Sequence, residues 1–152
     1  MYFEDFEIGY KITTQARTIT EADVVNFAGL SGDYNAIHTD AAFAETAPFG
    51  QRVAHGLLVL SIVTGLAMRT GFLEGTVLAF REISNWKFSK PVFIGDTVHA
   101  EIEITNLKAF PRLGGGALDV AFKVINQDYE IVMKGSFNIL VQSKPSLEPN
   151  QS

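Results

Sequence analysis

His55-Gly56-Leu57-Leu58-Val59-Leu60-Ser61-Ile62-Val63-Thr64-Gly65-Leu66-Ala67-Met68-Arg69-Thr70 is the stretch that decides how this chain folds. Its large apolar residues fall on every side of a helical wheel, and Gly71 closes it. A helix with no polar face must be surrounded. The core of the run, Gly56 to Met68, is 13 residues long and contains Ser61 and Thr64, too short and too polar for the roughly 20 residues that cross a bilayer. The surroundings follow directly in the chain. Thr76 to Phe88, Thr97 to Lys108, Ala117 to Asn126 and Ile131 to Val141 read as strands, separated by turn signals at Lys90-Pro91, Gly95-Asp96, Gly114-Gly115-Gly116 and Gln127-Asp128. His99, Glu101, Glu103 and Thr105 alternate with Ala100, Ile102 and Ile104, which places one face of that strand on a core. Short turns between successive strands make the sheet antiparallel, and a single sheet buries such a helix only by curling round it. The expected fold is α+β, an antiparallel sheet wrapped around a long central helix.

Upstream, Lys11 to Ile19 reads as one short strand. Thr20 is placed to cap a helix with Glu21 and Asp23 in its first turn. Its buried face is expected to carry Val24, Phe27, Ala28 and Leu30/Ser31, and it ends at Gly32. Asp33 to Thr39 reads as loop. Asp40 can cap a short helix over Ala41 to Glu45, followed by a turn containing Pro48 and Gly50. Residues 1–142 form the expected single domain, and 143–152, with Pro145 and Pro149, a flexible C-terminal tail.

With 152 residues, 47% of them hydrophobic and 19% charged, the chain can bury one substantial core. Net charge −5 and pI ≈ 5.1 argue against a nucleic-acid partner, whose affinity rests on neutralised phosphates. The absence of cysteine removes disulfides, thiolate metal sites and thiol nucleophiles together. The acidic start Met1 to Glu7 carries none of the basic-then-apolar pattern of an export signal, so no membrane partner is expected and the expected location is cytoplasmic. A curled open sheet leaves an edge strand, and pairing two copies edge to edge would cover it.

The densest polar cluster is Ser31-Gly32-Asp33-Tyr34-Asn35-Ala36-Ile37-His38-Thr39-Asp40. Asp33 and His38, five apart in a loop, can point at one small volume, hold one water and move protons both ways. By spacing alone, an Asx turn and a structural histidine are the plainer account. At the start of the apolar helix, Val53-Ala54-His55-Gly56 brings unpaired N–H groups to a helix N-terminus, where an oxyanion can be received, and Gly56 permits close approach. A packing role for Gly56 is the plainer alternative. Gly114-Gly115-Gly116 lies between strands and reads as a hairpin turn, not a phosphate loop. His38, His55 and His99 lack a metal-ligand spacing, so no metal is expected. Arg81, Lys87, Lys90 and Arg112 stay unassigned.

Together, Phe27-Ala28-x-x-Ser31-Gly32-Asp33-x-Asn35-x-Ile37-His38-x-Asp40, Phe49-Gly50-x-x-Val53-Ala54-His55-Gly56 and Phe88-x-x-Pro91-Val92-x-x-Gly95-Asp96-Thr97 resemble the MaoC-like dehydratase family, the (R)-specific enoyl-CoA hydratases. The similarity runs from about Phe3 to Leu140, with the motifs in the family's order. The resemblance implies a hotdog fold, a homodimer, and acyl-CoA tunnels near the subunit interface. It implies reversible addition of water to a trans-2-enoyl-CoA, with no cofactor beyond the coenzyme A of the substrate. By position, Asp33 and His38 match the hydratase dyad, Gly56 the residue whose N–H holds the thioester oxygen, and Asn35 the residue shaping the loop. Thr64 falls where relatives often carry a serine near the substrate, with Ser61 one turn earlier. Ala36 replaces a common proline, which bears on loop rigidity. A hotdog acyl-CoA thioesterase and a non-catalytic acyl-CoA binding protein are the competing expectations.

Overall fold

The computed structural model describes residues 1–146. Its chain order is β1 (Lys11–Thr13), β2 (Arg17–Thr18), α1 (Glu21–Ser31), α2 (Ala36–Thr39), α3 (Ala41–Thr46), α4 (Gly56–Met68), β3 (Val77–Phe88), β4 (Thr97–Phe110), β5 (Gly115–Ile125) and β6 (Ile131–Gln142). The sheet is antiparallel in the order β1-β4-β5-β6-β3, with β2 on a second segment of β4. This is the hotdog arrangement, with α4 as the filling. The inward residues alternate as expected: Val98, Ala100, Ile102 and Ile104 on β4, then Leu118, Val120, Phe122 and Val124 on β5. They meet Leu58, Val59, Val63 and Ala67 of α4 in one core. No helix among the described residues is long and apolar enough to cross a membrane.

Several local expectations are corrected. The strand expected over Lys11 to Ile19 breaks in two, because Thr14 donates its N–H to Ala100 O while its hydroxyl accepts the Ala100 N–H, both at 2.9 Å, in place of a regular ladder step. Leu30 lies outside the buried face of α1, 85% exposed, whereas Val24 and Ala28 are buried. The hairpin turn sits at Pro111–Leu113 with Gly114 at φ 64°, and Gly115 and Gly116 belong to β5. A side chain at Gly116 would run into the Phe3 ring. The α4 helix is not enclosed on all sides, since Leu57, Ser61 and Met68 form an exposed stripe.

The β3 edge strand shifts register against β6 at three places. Between Ser84↔Ser136 and Lys87↔Lys134 it spends one more residue than β6, with Asn85 at φ 52°. The extra residue keeps both Ile83 and Trp86 on the Phe137 side, where an unbulged strand would turn one of them outward. Of the expected C-terminal tail, Ser143 donates to Gly114 O and Lys144 N–H to Glu4, while 147–152 lie outside the described residues.

Candidate active site

The site begins with the end of α1. The helix starts at a capping box, Thr20 Oγ1 accepting from Asp23 N–H and Asp23 accepting from Thr20 N–H, and stops at Gly32 in the left-handed region, φ 76°. From there a relay of short side chains shapes the polar segment. Ser31 Oγ accepts from Asp33 N–H (3.1 Å), Asp33 Oδ1 from Asn35 N–H (3.2 Å) and Asn35 Oδ1 from Ile37 N–H (3.1 Å). Asn35 thereby caps α2, so the segment expected as loop carries one helical turn with His38 on it. Arg52 fixes that turn from outside: its Nε donates to His38 O at 2.7 Å and its guanidinium forks onto Glu21. These bonds hold the loop that carries Ala36.

His38 is 7% exposed and hydrogen-bonds through Nδ1 to Val53 O at 2.6 Å. A carbonyl only accepts, so Nδ1 carries a proton, and in the neutral ring Nε2 presents its lone pair. His55, 2% exposed, bonds through Nε2 to Asp33 O at 2.9 Å, and its ring stacks on His38 with centroids 3.8 Å apart and planes at 26°. Asp33, His38 and His55 each offer a donor atom within 4.8 Å of the others. Such a set invites the thought of a cation. However, one nitrogen of each ring is already committed to a carbonyl, and the other nitrogen of His55, Nδ1, is buried.

His38 also lines an apolar cleft of about 540 Å³ with Phe49, Val53, Gly56, Leu57, Phe88 and Pro91. Gly56 opens α4, whose first-turn N–H groups have no intrahelical acceptor. A Cβ at Gly56 would lie 2.8 Å from the Phe88 ring. A side chain here would therefore have to displace the Phe88 ring, whatever else the Gly56 N–H does.

The structure brings Asp33, His38 and Gly56 to the start of α4, with Asn35 behind them as the cap of α2, and leaves Ser61 and Thr64 apart from them. Ser61 Oγ donates to Leu57 O and Thr64 Oγ1 to Leu60 O, each at 2.8 Å. Thr64 lines a second cavity of about 50 Å³, with Met68, Phe80, Phe122 and Phe137. His55, weighed in the sequence only as a metal ligand, and Phe88, read only as a strand end and a motif position, both stand at this site. His99, on β4, is not part of the cluster.

A family model described as MaoC like domain matches residues 5–120. Protein MaoC of Klebsiella aerogenes is 41% identical over 101 residues, 66% of this chain, which spans 30% of that protein's length. An (R)-specific enoyl-CoA hydratase of Aeromonas caviae is 37% identical over 71% of this chain and 78% of its own length. A 3-hydroxybutyryl-CoA dehydratase of Methylorubrum extorquens is 32% identical over 98% and 89%. A solved structure from Archaeoglobus fulgius, described as a monoamine oxidase regulatory protein, superposes with TM-score 0.89 at 36% identity, covering 95% of this chain and 96% of that one.

Proposed function

The chain belongs to the MaoC-like dehydratase family, and from that premise we propose that it is a hydro-lyase acting on coenzyme A thioesters. The reaction is reversible addition of water to a trans-2-enoyl-CoA, giving an (R)-3-hydroxyacyl-CoA. The observation that carries this reading is one geometry: Asp33 and His38 each offer a ligating atom within 4.8 Å of the other, and His38 lines an apolar cleft that includes Gly56, the first residue of α4. Asp33 and His38 hold one water between them. As its oxygen bonds to the β-carbon, its proton passes to the pair, and the pair returns a proton to the α-carbon, so the dyad ends as it began. The Gly56 N–H donates to the thioester oxygen while negative charge grows there. A preorganised donor of this kind is worth about 2.7–4 kcal/mol in other enzymes. The thioester itself acidifies the α-position, so the scheme requires no metal or organic cofactor. The cytoplasm is its proposed place of action, and a homodimer its proposed form.

Crotonyl-CoA tests the reaction class. A hydratase consumes the conjugated double bond without releasing free thiol, and that is the expected result, with (R)-3-hydroxybutyryl-CoA as product. Thiol release would mean a thioesterase; neither change would mean a binding protein.

A further inference from the structure

We propose that His55 is the positioning residue of the dyad, a role that rests on the hydration reading above. Three observations converge on one buried ring. Its Nε2 donates to the backbone oxygen of Asp33 at 2.9 Å. One face covers His38 at 3.8 Å, and the edge of Phe27 packs on it at 4.9 Å and 62°. It is also the residue immediately before Gly56, at the N-cap of α4. One side chain thus touches the backbone that carries the carboxylate and the imidazole that shares the water, and is bonded to the proposed oxyanion donor. Its second nitrogen, Nδ1, is buried with no hydrogen-bond partner. An unsatisfied buried polar atom costs stability, and a phenylalanine would avoid that cost in the same flat seat. What phenylalanine cannot do is donate to Asp33. Glutamine can donate, but it offers no ring to hold His38 in the plane that keeps Nδ1 on Val53 and Nε2 free. The imidazole supplies both at once. With Nε2 committed to Asp33 O and Nδ1 buried, His55 acts through its neighbours.

The test compares His55→Phe and His55→Gln with the wild type, each corrected for folded fraction by thermal melting. Both variants should lose 10- to 100-fold in kcat on crotonyl-CoA, the range of lost supporting contacts around a site, with KM and butyryl-CoA binding changed less than about threefold. In the free protein, ¹⁵N spectra should show His38 as the Nδ1–H tautomer in the wild type and in His55→Phe, and averaged tautomers in His55→Gln. The Asp33 carbonyl ¹³C shift should move in His55→Phe. Either variant keeping near-normal kcat, or an unmoved His38 spectrum in His55→Gln, overturns the proposal. If one variant does not fold, the other decides. A wild type without hydratase activity would overturn the hydration reading instead, and the spectra would still report whether His55 orders His38 and Asp33.

Discussion

At the scale of single residues, Gly56 has two reasons to be glycine, and they can be separated. The Phe88 ring needs the space, and the proposed chemistry needs the N–H. Gly56→Ala keeps the N–H and only displaces Phe88, a ring already 52% exposed and free to swing. Gly56→Pro adds the same clash and removes the donor, in a first helical turn where proline is tolerated. The proline variant is expected to turn over about 10²–10³-fold more slowly than the alanine variant, with similar melting temperatures. Equal turnover in the two would leave Gly56 a packing residue. Asp33, Asn35 and His38 stood out in the sequence because they sit within six residues, and the Asp33 and Asn35 turns are local, whereas His38 is held by Val53 fifteen residues on. The His55 stack on His38 and the Phe88 ring over Gly56 join residues 17 and 32 apart, and no local pattern encodes such contacts.

At the scale of elements, the long strands and α4 were readable because hydrophobic period fixes them, and their ends moved by no more than a few residues. The one-turn α2 was not readable. Four residues cannot repay helix nucleation, and α2 exists because Asn35, Arg52 and Val53 hold it. The α1 start was readable, and its cap gives a prediction in pH. Burial pushes the Asp23 carboxyl up, but hydrogen bonds from Thr20 and the Arg17 guanidinium outweigh it and hold the group below the usual aspartate range. A depressed pKa contributes stability in full above the unfolded value of about 3.9 and loses it as pH falls through the folded value. Asp23→Asn should therefore cost about 1 kcal/mol at pH 7 by denaturant titration, and the gap to wild type should narrow steadily below about pH 4. A gap unchanged at pH 2 would contradict the cap. On α4, Thr64 faces the small cavity framed by Phe80 and Phe137. If the acyl tail ends there, Thr64→Phe overpacks it, and a chain-length panel should show turnover of longer enoyl-CoAs falling first. An unchanged profile would place the tail elsewhere.

At the scale of the whole molecule, β3 is a 12-residue edge strand, and Val77, Leu78, Phe80, Ile83 and Phe88 on it are all at least 40% exposed. The open stripe of α4, with Leu57 and Met68, adds to the same apolar total. An uncovered edge of this kind is a pairing site, and pairing with a second copy satisfies it in closed twofold symmetry. Sedimentation equilibrium should find a dimer, or an assembly of dimers, at micromolar concentration, and Phe80→Glu should shift it toward monomer. A fully active wild-type monomer would contradict the pairing. The central claim is that Asp33 and His38 share one water, and a double-mutant cycle on crotonyl-CoA hydration addresses it most directly. Asp33→Asn and His38→Ala should each lower kcat by roughly 10²–10⁴-fold, and the double variant should fall little below the worse single, because residues acting as a unit are not additive. Butyryl-CoA should bind all three variants with wild-type affinity. Near-normal hydration by either single variant, or losses that simply multiply in the double, would contradict the shared water.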